Sequence, residues 1–279
     1  MKKEILGIDL GGTNIRGGTV SENHLSQVVS NKIPSNASAE EMLQALFHFV
    51  DKLITPATKA IGIGVPGLVI DRTVYDVVNI PSWQEISLHQ LIEQHYHLPV
   101  AVNNDANCFA LGEFYFGKGK GHDSMLGITI GTGLGTGIII NQKLFSGNNG
   151  GAGEFGMIEY LDSCYEYYAS GQFFSNVYNI DGELVFENAQ KGNVDALGMY
   201  EEMGIHLGNA IKTMLYATDI PLIVLGGSVS KAFPFFSKAM WKQIQTFAYK
   251  KALDSLQLQV SELHNSGILG AAALCYELL

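Results

Sequence analysis

The chain has few cysteines and few basic residues for a length of 279 residues. Its three cysteines, Cys108, Cys164 and Cys275, are far apart and odd in number, which predicts no disulfide framework and favours a reducing compartment. Lysine and arginine number 17 against 27 acidic residues, so the formal net charge is −10. Because non-specific nucleic-acid binding needs a basic face, this balance argues against a nucleic-acid partner while leaving a small anion open.

An uninterrupted apolar run is also missing. The most apolar stretch, residues 125–140, contains five glycines, and neither its length nor its glycine content suits a membrane span. The N-terminus begins a predicted strand at once, without the charged and then apolar segment of a secretory signal. We therefore expect a cytoplasmic protein with no membrane partner.

Glycine, in contrast, is plentiful, with 32 residues that cluster in pairs and short runs. Near the N-terminus, residues 4–10 and 14–20 predict two strands around the turn Gly11-Gly12-Thr13, and Asp9 lies at the end of the first strand. One interpretation is an ordinary hairpin, in which the glycines supply the positive φ of a tight turn. The other is a phosphate cradle of bare backbone N–H groups, a threonine hydroxyl and a carboxylate that holds hydrated Mg²⁺.

The same pattern returns in the middle of the chain. Residues 124–140, "SMLGITIGTGLGTGIII", again predict two strands around a turn, here Gly131-Thr132-Gly133. Helical periodicity after a capping box at Ser38 and Glu41, and over 194–217 and 233–251, alternates with strands. This organisation predicts two related α/β lobes, 1–118 and 119–279, with the final helix able to pack back on the first lobe. Two hairpins facing each other across a cleft would favour the cradle interpretation.

The order of five motifs carries a resemblance to a known family. The first hairpin, "VNNDAN" at 102–107, the second hairpin, "LGGSV" at 225–229 and "SGILGAAAL" at 266–274 follow one another over essentially the whole chain. In this order they resemble the sugar-kinase/actin/Hsp70 superfamily, and more closely the ROK family of bacterial sugar kinases and sugar-responsive repressors. The resemblance implies a two-lobed α/β, ribonuclease-H-like (actin-like ATPase) fold that binds ATP and a hexose in a central cleft, and it implies a homodimer.

Asp105, in "VNNDAN", is the predicted catalytic base. A sugar hydroxyl becomes a good nucleophile when a carboxylate within hydrogen-bond reach can accept its proton. The alternative is that Asp105 is only a helix N-cap. The resemblance implies that Asn104 binds a sugar hydroxyl, and Gly67, in the turn Val65-Pro66-Gly67, is a further predicted substrate-binding residue.

Two glutamates stand where the family has sugar-binding glutamates, Glu154 and Glu166; their alternative is a role as solvated loop acids. The surrounding segment departs from the family pattern. Met157 stands where the family has a histidine, and Cys164 alone remains of three clustered cysteines. Since one thiolate does not make a four-ligand site, we predict no structural zinc. The missing histidine leaves the identity of the sugar open.

The predicted nucleotide contacts are distributed over three motifs. The hairpins would bind the phosphates, Asp9 would hold Mg²⁺ through water, and the "LGG" glycines would contact adenosine unless they only form a strand-to-helix turn. Arg16, where the family often has a basic residue, is equally well interpreted as a solvated strand-edge charge. The predicted nucleotide-binding residues are Asp9, Gly11, Gly12, Thr13, Thr132, Gly133, Gly226 and Gly227.

Two functions from different classes follow. The first is an ATP-dependent and Mg²⁺-dependent hexose kinase that phosphorylates O6 of glucose, with N-acetylmannosamine, N-acetylglucosamine, fructose or allose as alternative substrates. The second is a sugar-sensing regulator that binds without phosphorylating. The related repressors carry a helix-turn-helix domain ahead of the kinase-like region, and Asp9 arrives too early in this chain to leave room for one.

Overall fold

The computed structural model describes residues 4–22, 24–34, 37–77 and 80–279. The strands in these ranges are β1 (Glu4–Leu10), β2 (Asn14–Ser21), β3 (His24–Lys32), β4 (Thr58–Val65), β5 (Leu68–Ile70), β6 (Thr73–Tyr75), β7 (Glu85–Ile86), β8 (Val100–Asn104), β9 (Met125–Ile130), β10 (Leu134–Ile140), β11 (Lys143–Leu144), β12 (Glu159–Tyr160), β13 (Ser163–Cys164), β14 (Leu222–Gly226) and β15 (Gln257–Val260). The α-helices are α1 (Ala39–Asp51), α2 (Leu88–Tyr96), α3 (Asp105–Phe116), α4 (Tyr165–Ala169), α5 (Gln172–Tyr178), α6 (Gly182–Gln190), α7 (Val194–Thr218), α8 (Phe233–Ile244), α9 (Lys250–Leu253) and α10 (Ser266–Ala273).

The chain packs into two compact units. The first comprises Met1–Gly121, Gly137–Ala152 and Glu262–Leu279, and the second comprises His122–Thr136 and Gly153–Ser261. The last segment of the first unit contains α10. The division into lobes 1–118 and 119–279 stays a prediction.

The first unit is built on a five-stranded sheet in the order β3-β2-β1-β4-β8. β1, β2 and β3 pair antiparallel, whereas β4 runs parallel to β1 and β8 runs parallel to β4. Alternate residues of β1 point to opposite faces. Leu6, Ile8 and Leu10 therefore join one core with α1 and α2, and Ile5 joins a second core with α10.

Glycines let α10 lie directly on this sheet. A Cβ on Gly62 of β4 would lie 1.7 Å from the carbonyl oxygen of Ala271, and one on Gly7 of β1 would lie 2.1 Å from that of Ile268. No side chain fits in such gaps, so the small residues of "SGILGAAAL" allow the close packing that their composition predicts. α1 begins as predicted, with a capping box between Ser38 and Glu41.

The second five-stranded sheet has the order β11-β10-β9-β14-β15, in which β14 runs parallel to β9 and β15 runs parallel to β14. Its strand order matches that of the first sheet. In each sheet, the first strand of the hairpin lies beside a parallel strand that comes later in the chain, β4 beside β1 and β14 beside β9. The two sheets thus have the same strand order, as the repeated hairpin pattern predicts. Gly204 and Gly208 of α7 bring that helix close to α8, since Cβ atoms there would lie 2.5 and 2.7 Å from carbonyl oxygens of α8.

The structure differs from the predicted elements at two places. β3 follows the first hairpin, and its largely exposed sequence gives no apolar pattern. The helix predicted over 233–251 is wrong as a single helix: α8 ends at Ile244 and α9 starts at Lys250. Between them Phe247 turns into the core, with its ring 4.4 Å from that of Tyr216. Each helix in the described ranges is too short or too polar to cross a bilayer.

Candidate active site

Three parallel strands of the first sheet end at one edge, and two predicted functional carboxylates lie there. Asp9 of β1 is aligned with Gly64 of β4, and Gly64 is aligned with Asn103 of β8. Asp105 follows two residues after Asn103. Burial, and then the negative charges of Asp9 and Asp105, raise the pKa of the Cys108 thiol. Both carboxylates therefore act electrostatically on the buried Cys108 sulfur, and the sheet brings Asp9 and Asp105 to the same edge.

Asp105 is the first residue of α3 and not its cap. Asn104 is the N-cap, and its Oδ1 accepts a hydrogen bond from the backbone N–H of Ala106 at 2.9 Å. The alternative interpretation of Asp105 as the N-cap is therefore wrong. Asp105 also accepts from that N–H, at 2.8 Å, and its side chain is half-buried at the positive end of the helix dipole. A carboxylate is stabilised in this position without being required for the helix to start.

Asn104 links the carboxyl edge of the first sheet to Gly67. Its Nδ2 donates to the Gly67 carbonyl at 3.2 Å, while its backbone N–H donates to Asn103 Oδ1 at 2.8 Å. The amide nitrogen carries two donor hydrogens and the amide oxygen two lone pairs, so the bond to Gly67 and the bond accepted from Ala106 together use half of the capacity of the side chain. A Cβ on Gly67 would lie 2.8 Å from the Tyr75 carbonyl, so β6 by itself explains the glycine.

Asp9 lies between a cation and a helix terminus. Arg16 of β2 is paired directly with Asp9 of β1. On the other side, a Cβ on Gly267 in α10 would lie 2.9 Å from Asp9 Oδ2. Burial raises the pKa of the Asp9 carboxyl, and the charge of Arg16 opposes that shift. Arg16 is exposed, as a strand-edge charge would be, but it also donates to Asn265 Oδ1. Arg16 thus has two local partners within the first unit.

The first hairpin is closed by backbone hydrogen bonds alone. Gly11 N–H donates to the Asn14 carbonyl, and Ile33 N–H donates to the Thr13 carbonyl, both at 2.9 Å. Neither Gly11 nor Gly12 has a positive φ, so the argument that the glycines serve a left-handed turn is wrong here. The Thr13 side chain is exposed. The two glycines leave the turn without side chains, although the Gly11 N–H is already bonded to the Asn14 carbonyl.

The second hairpin is held from outside by residues 166–171. Gly171 N–H donates to the Gly131 carbonyl at 2.7 Å, and Ser170 Oγ donates to the Thr132 carbonyl at 2.8 Å. Thr132 itself is exposed, and a Cβ on Gly131 would meet no heavy atom within 4 Å. The carbonyls of this turn are thus engaged by the protein, whereas the space beside Gly131 is open.

Glu166 also reaches this hairpin. Its Oε2 accepts from the backbone N–H of Leu134 at 2.9 Å, and a Cβ on Gly133 would lie 2.4 Å from the same oxygen. A side chain at Gly133 would therefore displace the Glu166 carboxylate from its present position. Glu154 lies near it: partial burial and the negative charge of Glu166 raise the pKa of the Glu154 carboxyl, although the side chain remains exposed. The two predicted sugar-binding carboxylates are neighbours. Glu166 is bonded within the second unit, whereas the exposed Glu154 still fits the alternative of a solvated loop acid.

The "LGG" glycines end β14. Gly226 is aligned with Thr129 of β9. Gly227 has a φ of 85°, and a Cβ there would lie 2.4 Å from the Ile130 carbonyl, so only glycine fits this turn. Ser230 Oγ donates to the Gly227 carbonyl at 2.8 Å. The turn interpretation explains Gly227, and the adenosine contact stays a prediction.

The segment that departs from the family pattern has an exposed methionine. Met157 is 62% exposed at the end of a short 3₁₀ helix, and Cys164 ends β13. In the ranges that the structure describes, no three His, Cys, Asp or Glu side chains come together as metal ligands. The prediction that structural zinc is absent stays a prediction.

The sequence alone did not indicate which residues fix the second hairpin or the start of α3. Ser170 and Gly171 fix the second hairpin, and Asn103 orders the start of α3 through Asn104 and through Asn107, whose Nδ2 donates to Asn103 Oδ1 at 2.9 Å. The available signal was the placement of "YASG" directly after Glu166, and of a second asparagine directly before Asn104.

Comparisons with known proteins agree with this architecture. The model of the ROK family matches residues 5–277. A glucokinase of Streptomyces coelicolor is 30% identical, with 98% of this chain and 97% of that protein covered. The crystal structure of a ROK family glucokinase from Streptomyces griseus, in complex with glucose and AMPPNP, is 30% identical with a TM-score of 0.82, and 97% of this chain and 98% of that one are covered. A xylose repressor of Bacillus subtilis is 27% identical, with 96% of this chain and 76% of the repressor covered.

Proposed function

The chain belongs to the ROK family, and on that premise we propose that it is an ATP-dependent hexose kinase that transfers the γ-phosphate of ATP to a sugar hydroxyl. The observation that carries the proposal is the convergence of Asp9 and Asp105 at the carboxyl edge of the first sheet. In open α/β sheets, ligands bind outside the carboxyl ends of parallel strands. The similarity to glucokinases over nearly the whole chain supports the same function.

Asp105 is the base in this proposal. It accepts a hydrogen bond from the sugar hydroxyl, aims its oxygen at the phosphorus and takes its proton as the new bond forms. Most of the barrier reduction in phosphoryl transfer comes from positioning and charge neutralisation, so orientation is as important as proton transfer. Asn104 and Gly67 hold the sugar beside Asp105 in the first unit. In the second unit, Glu154 and Glu166 accept hydrogen bonds from adjacent hydroxyls.

The donor sets of both hairpins fit a nucleotide. Each hairpin has an exposed threonine hydroxyl, Thr13 in one and Thr132 in the other, and the backbone at Gly131 faces open space. Asp9 offers the carboxylate oxygens that Mg²⁺ prefers, and it would hold the ion through water. When bound, Mg²⁺ neutralises charge on the transferred phosphate. Gly11, Gly12 and Gly133 expose backbone for the phosphates, while Gly226 and Gly227 contact adenosine.

We propose glucose as the substrate and O6 as the accepting oxygen, because the similar enzymes are glucokinases. The exposed side chain of Met157 provides neither a charge nor a strong hydrogen-bond donor beside Glu154. For that reason N-acetylmannosamine, N-acetylglucosamine, fructose and allose remain the alternative substrates. The acidic composition and the absence of a described membrane-spanning helix fit a cytoplasmic enzyme with no nucleic-acid partner.

A sugar-sensing regulator is the second candidate, and the similarity to a xylose repressor favours it. Such a protein would bind sugar without needing a base. Asp9 and Asp105 both act on the Cys108 thiol, and Asn104 is the cap of α3, so helix capping does not account for Asp105. This arrangement favours the kinase.

Coupled ADP release with Mg-ATP over a panel of hexoses and N-acetylhexosamines tests the proposed function. We expect sugar-dependent ADP release that is greatest with glucose, and a product whose phosphorus couples to the C6 protons in NMR. ATP without sugar is the control, because hydrolysis alone would also release ADP. Sugar binding without any sugar-dependent turnover would assign the chain to the regulators.

A further inference from the structure

The two neighbouring carboxylates Glu154 and Glu166 lie at the ends of one short folded piece of chain, which we call the carboxylate segment (residues 154–166). It contains the 3₁₀ helix Phe155–Met157 and the hairpin of β12 and β13, in which Tyr160 pairs with Ser163. The backbone N–H of Tyr165 donates to the Ile158 carbonyl at 3.1 Å, which closes the segment. The separation of the two carboxylates therefore depends on how this hairpin is held.

Two tyrosines attach the carboxylate segment to α7. The Tyr160 hydroxyl oxygen accepts from Asn209 Nδ2 at 2.8 Å and lies 3.1 Å from His206 Nδ1. The Tyr165 hydroxyl lies 2.8 Å from Thr213 Oγ1. Positions 206, 209 and 213 are three and four residues apart and share one face of the helix. The rings of Tyr160 and Tyr165 stack, with centroids 4.4 Å apart.

The Tyr160 hydroxyl has two partners on α7. Gln243 Nε2 of α8 donates to Asn209 Oδ1 at 2.6 Å, so the NH₂ group of Asn209 faces Tyr160. Burial lowers the pKa of His206, and the charge of Glu202 opposes that shift. The Tyr160 oxygen accepts from Asn209, and the tautomer of His206 decides whether the hydroxyl or Nδ1 donates in their 3.1 Å contact. In either tautomer, the hydroxyl is bonded to two side chains of α7.

We propose that Tyr160 is a positioning residue for sugar binding, which sets the spacing of Glu154 and Glu166 through its hydroxyl contacts with α7. The inference rests on the proposed sugar site and names a residue that itself touches no substrate. Two like charges in one segment repel each other, and an anchored hairpin resists that repulsion. Adjacent sugar hydroxyls need two acceptors at a defined separation, so loosening the anchor weakens sugar binding before it affects any other step.

The test is Tyr160→Phe in the full chain, which keeps the ring and its stacking and removes only the hydroxyl. We expect the Kd and the KM for sugar to rise on the order of tenfold, the effect of about one hydrogen bond. The kcat and the KM for ATP should change by less than about twofold, because uniform binding of the sugar is what is lost. Tyr249→Phe is the matched control, since Tyr249 lies in the same unit and is 68% exposed.

A second pair of variants tests the partner. His206→Asn keeps an acceptor near the place of Nδ1 and should bind sugar more tightly than His206→Leu, which has none. The double variant should lose less free energy of sugar binding than the sum of the losses in His206→Leu and Tyr160→Phe, because both single variants remove the same contact. A purely structural role would instead lower the thermal midpoint in all variants and leave the sugar Kd of the folded protein unchanged.

Calorimetric titration with glucose in the absence of ATP separates this inference from the proposed function. Weaker binding by Tyr160→Phe supports the inference even if the parent chain shows no turnover, which would refute only the kinase. Turnover with an unchanged sugar Kd in Tyr160→Phe overturns the inference and leaves the kinase standing. If the parent chain binds no sugar of the panel, both are overturned.

Discussion

The two glycine-threonine hairpins have similar sequences but are held in different ways. The first is closed within its own sheet, by the bonds from Gly11 to Asn14 and from Ile33 to Thr13. The second is held by side-chain and backbone groups of residues 166–171, among them Glu166, a predicted sugar-binding residue. The first hairpin is thus closed by bonds within its own sheet, whereas the second hairpin is also bonded to residues outside its sheet. In the second unit, the hairpin and Glu166, the predicted sugar-binding carboxylate, form one connected piece.

The largest difference should come from alanine at the glycines. Gly171→Ala would place a Cβ 2.6 Å from the Gly131 carbonyl, whereas Gly131→Ala meets nothing within 4 Å and Gly11→Ala meets the Asn14 carbonyl at 3.2 Å. We expect Gly171→Ala to lower the free energy of unfolding by about 1–3 kcal/mol. Gly131→Ala should leave stability within about 0.5 kcal/mol of the parent. Denaturant unfolding measures both, and equal losses would refute the external support of the second hairpin.

The carboxylates beside the two hairpins should have opposite effects on stability. Burial raises the pKa of Asp9, so the folded state binds its proton more tightly than the unfolded state does. Asp9 therefore stabilises the folded state below pH 3.8, and this stabilisation is lost as the pH rises through the raised pKa. Because the buried carboxylate is charged at pH 7, Asp9→Asn should raise the thermal midpoint at that pH. Glu166→Ala should lower stability by about 1 kcal/mol, because Leu134 N–H loses its acceptor.

The matched control for this pair is Glu159→Ala, an exposed acid in the second unit. The thermal midpoint of Glu159→Ala should equal that of the parent chain. A lower midpoint in Asp9→Asn, or an unchanged one in Glu166→Ala, would mean that the carboxylates of the two hairpins do not differ as described.

The smallest expected effects come from the threonines. Thr13→Val and Thr132→Val each remove one exposed hydroxyl and should leave the thermal midpoint unchanged. Each loses one charge-assisted hydrogen bond to phosphate, so kcat/KM for ATP should fall by about tenfold. Steady-state kinetics with varied ATP measures the loss. An effect at one position only would assign phosphate binding to a single hairpin.

Local patterns predicted much of the fold. Alternating apolar residues around Gly11-Gly12-Thr13 and Gly131-Thr132-Gly133 predicted both hairpins, and the Ser38 capping box predicted the start of α1. These features depend on residues a few positions apart. β3 was missed because an edge strand with exposed faces has no apolar periodicity, and the break after α8 was missed because Phe247 packs on distant Tyr216.

The candidate site was predictable in its residues and not in its connections. Motif order gave Asp9, Asp105 and Glu166, but nothing near Glu166 in sequence indicates a bond to Leu134, 32 positions away. The choice between Asn104 and Asp105 as the cap was equally hidden, because either side chain suits that role. Long-range hydrogen bonds depend on tertiary packing, which single-sequence patterns do not encode.

The most direct test of the central claim is turnover by Asp105→Asn. Asn104 caps α3 independently, so the variant should fold and bind glucose within about threefold of the parent Kd, while kcat falls by roughly 10²- to 10⁴-fold, the usual contribution of a general base. Asp71→Asn, in an exposed turn whose positive φ suits asparagine, is the control and should keep full activity. A kcat of Asp105→Asn within about fivefold of the parent would contradict the assignment of Asp105 as the base.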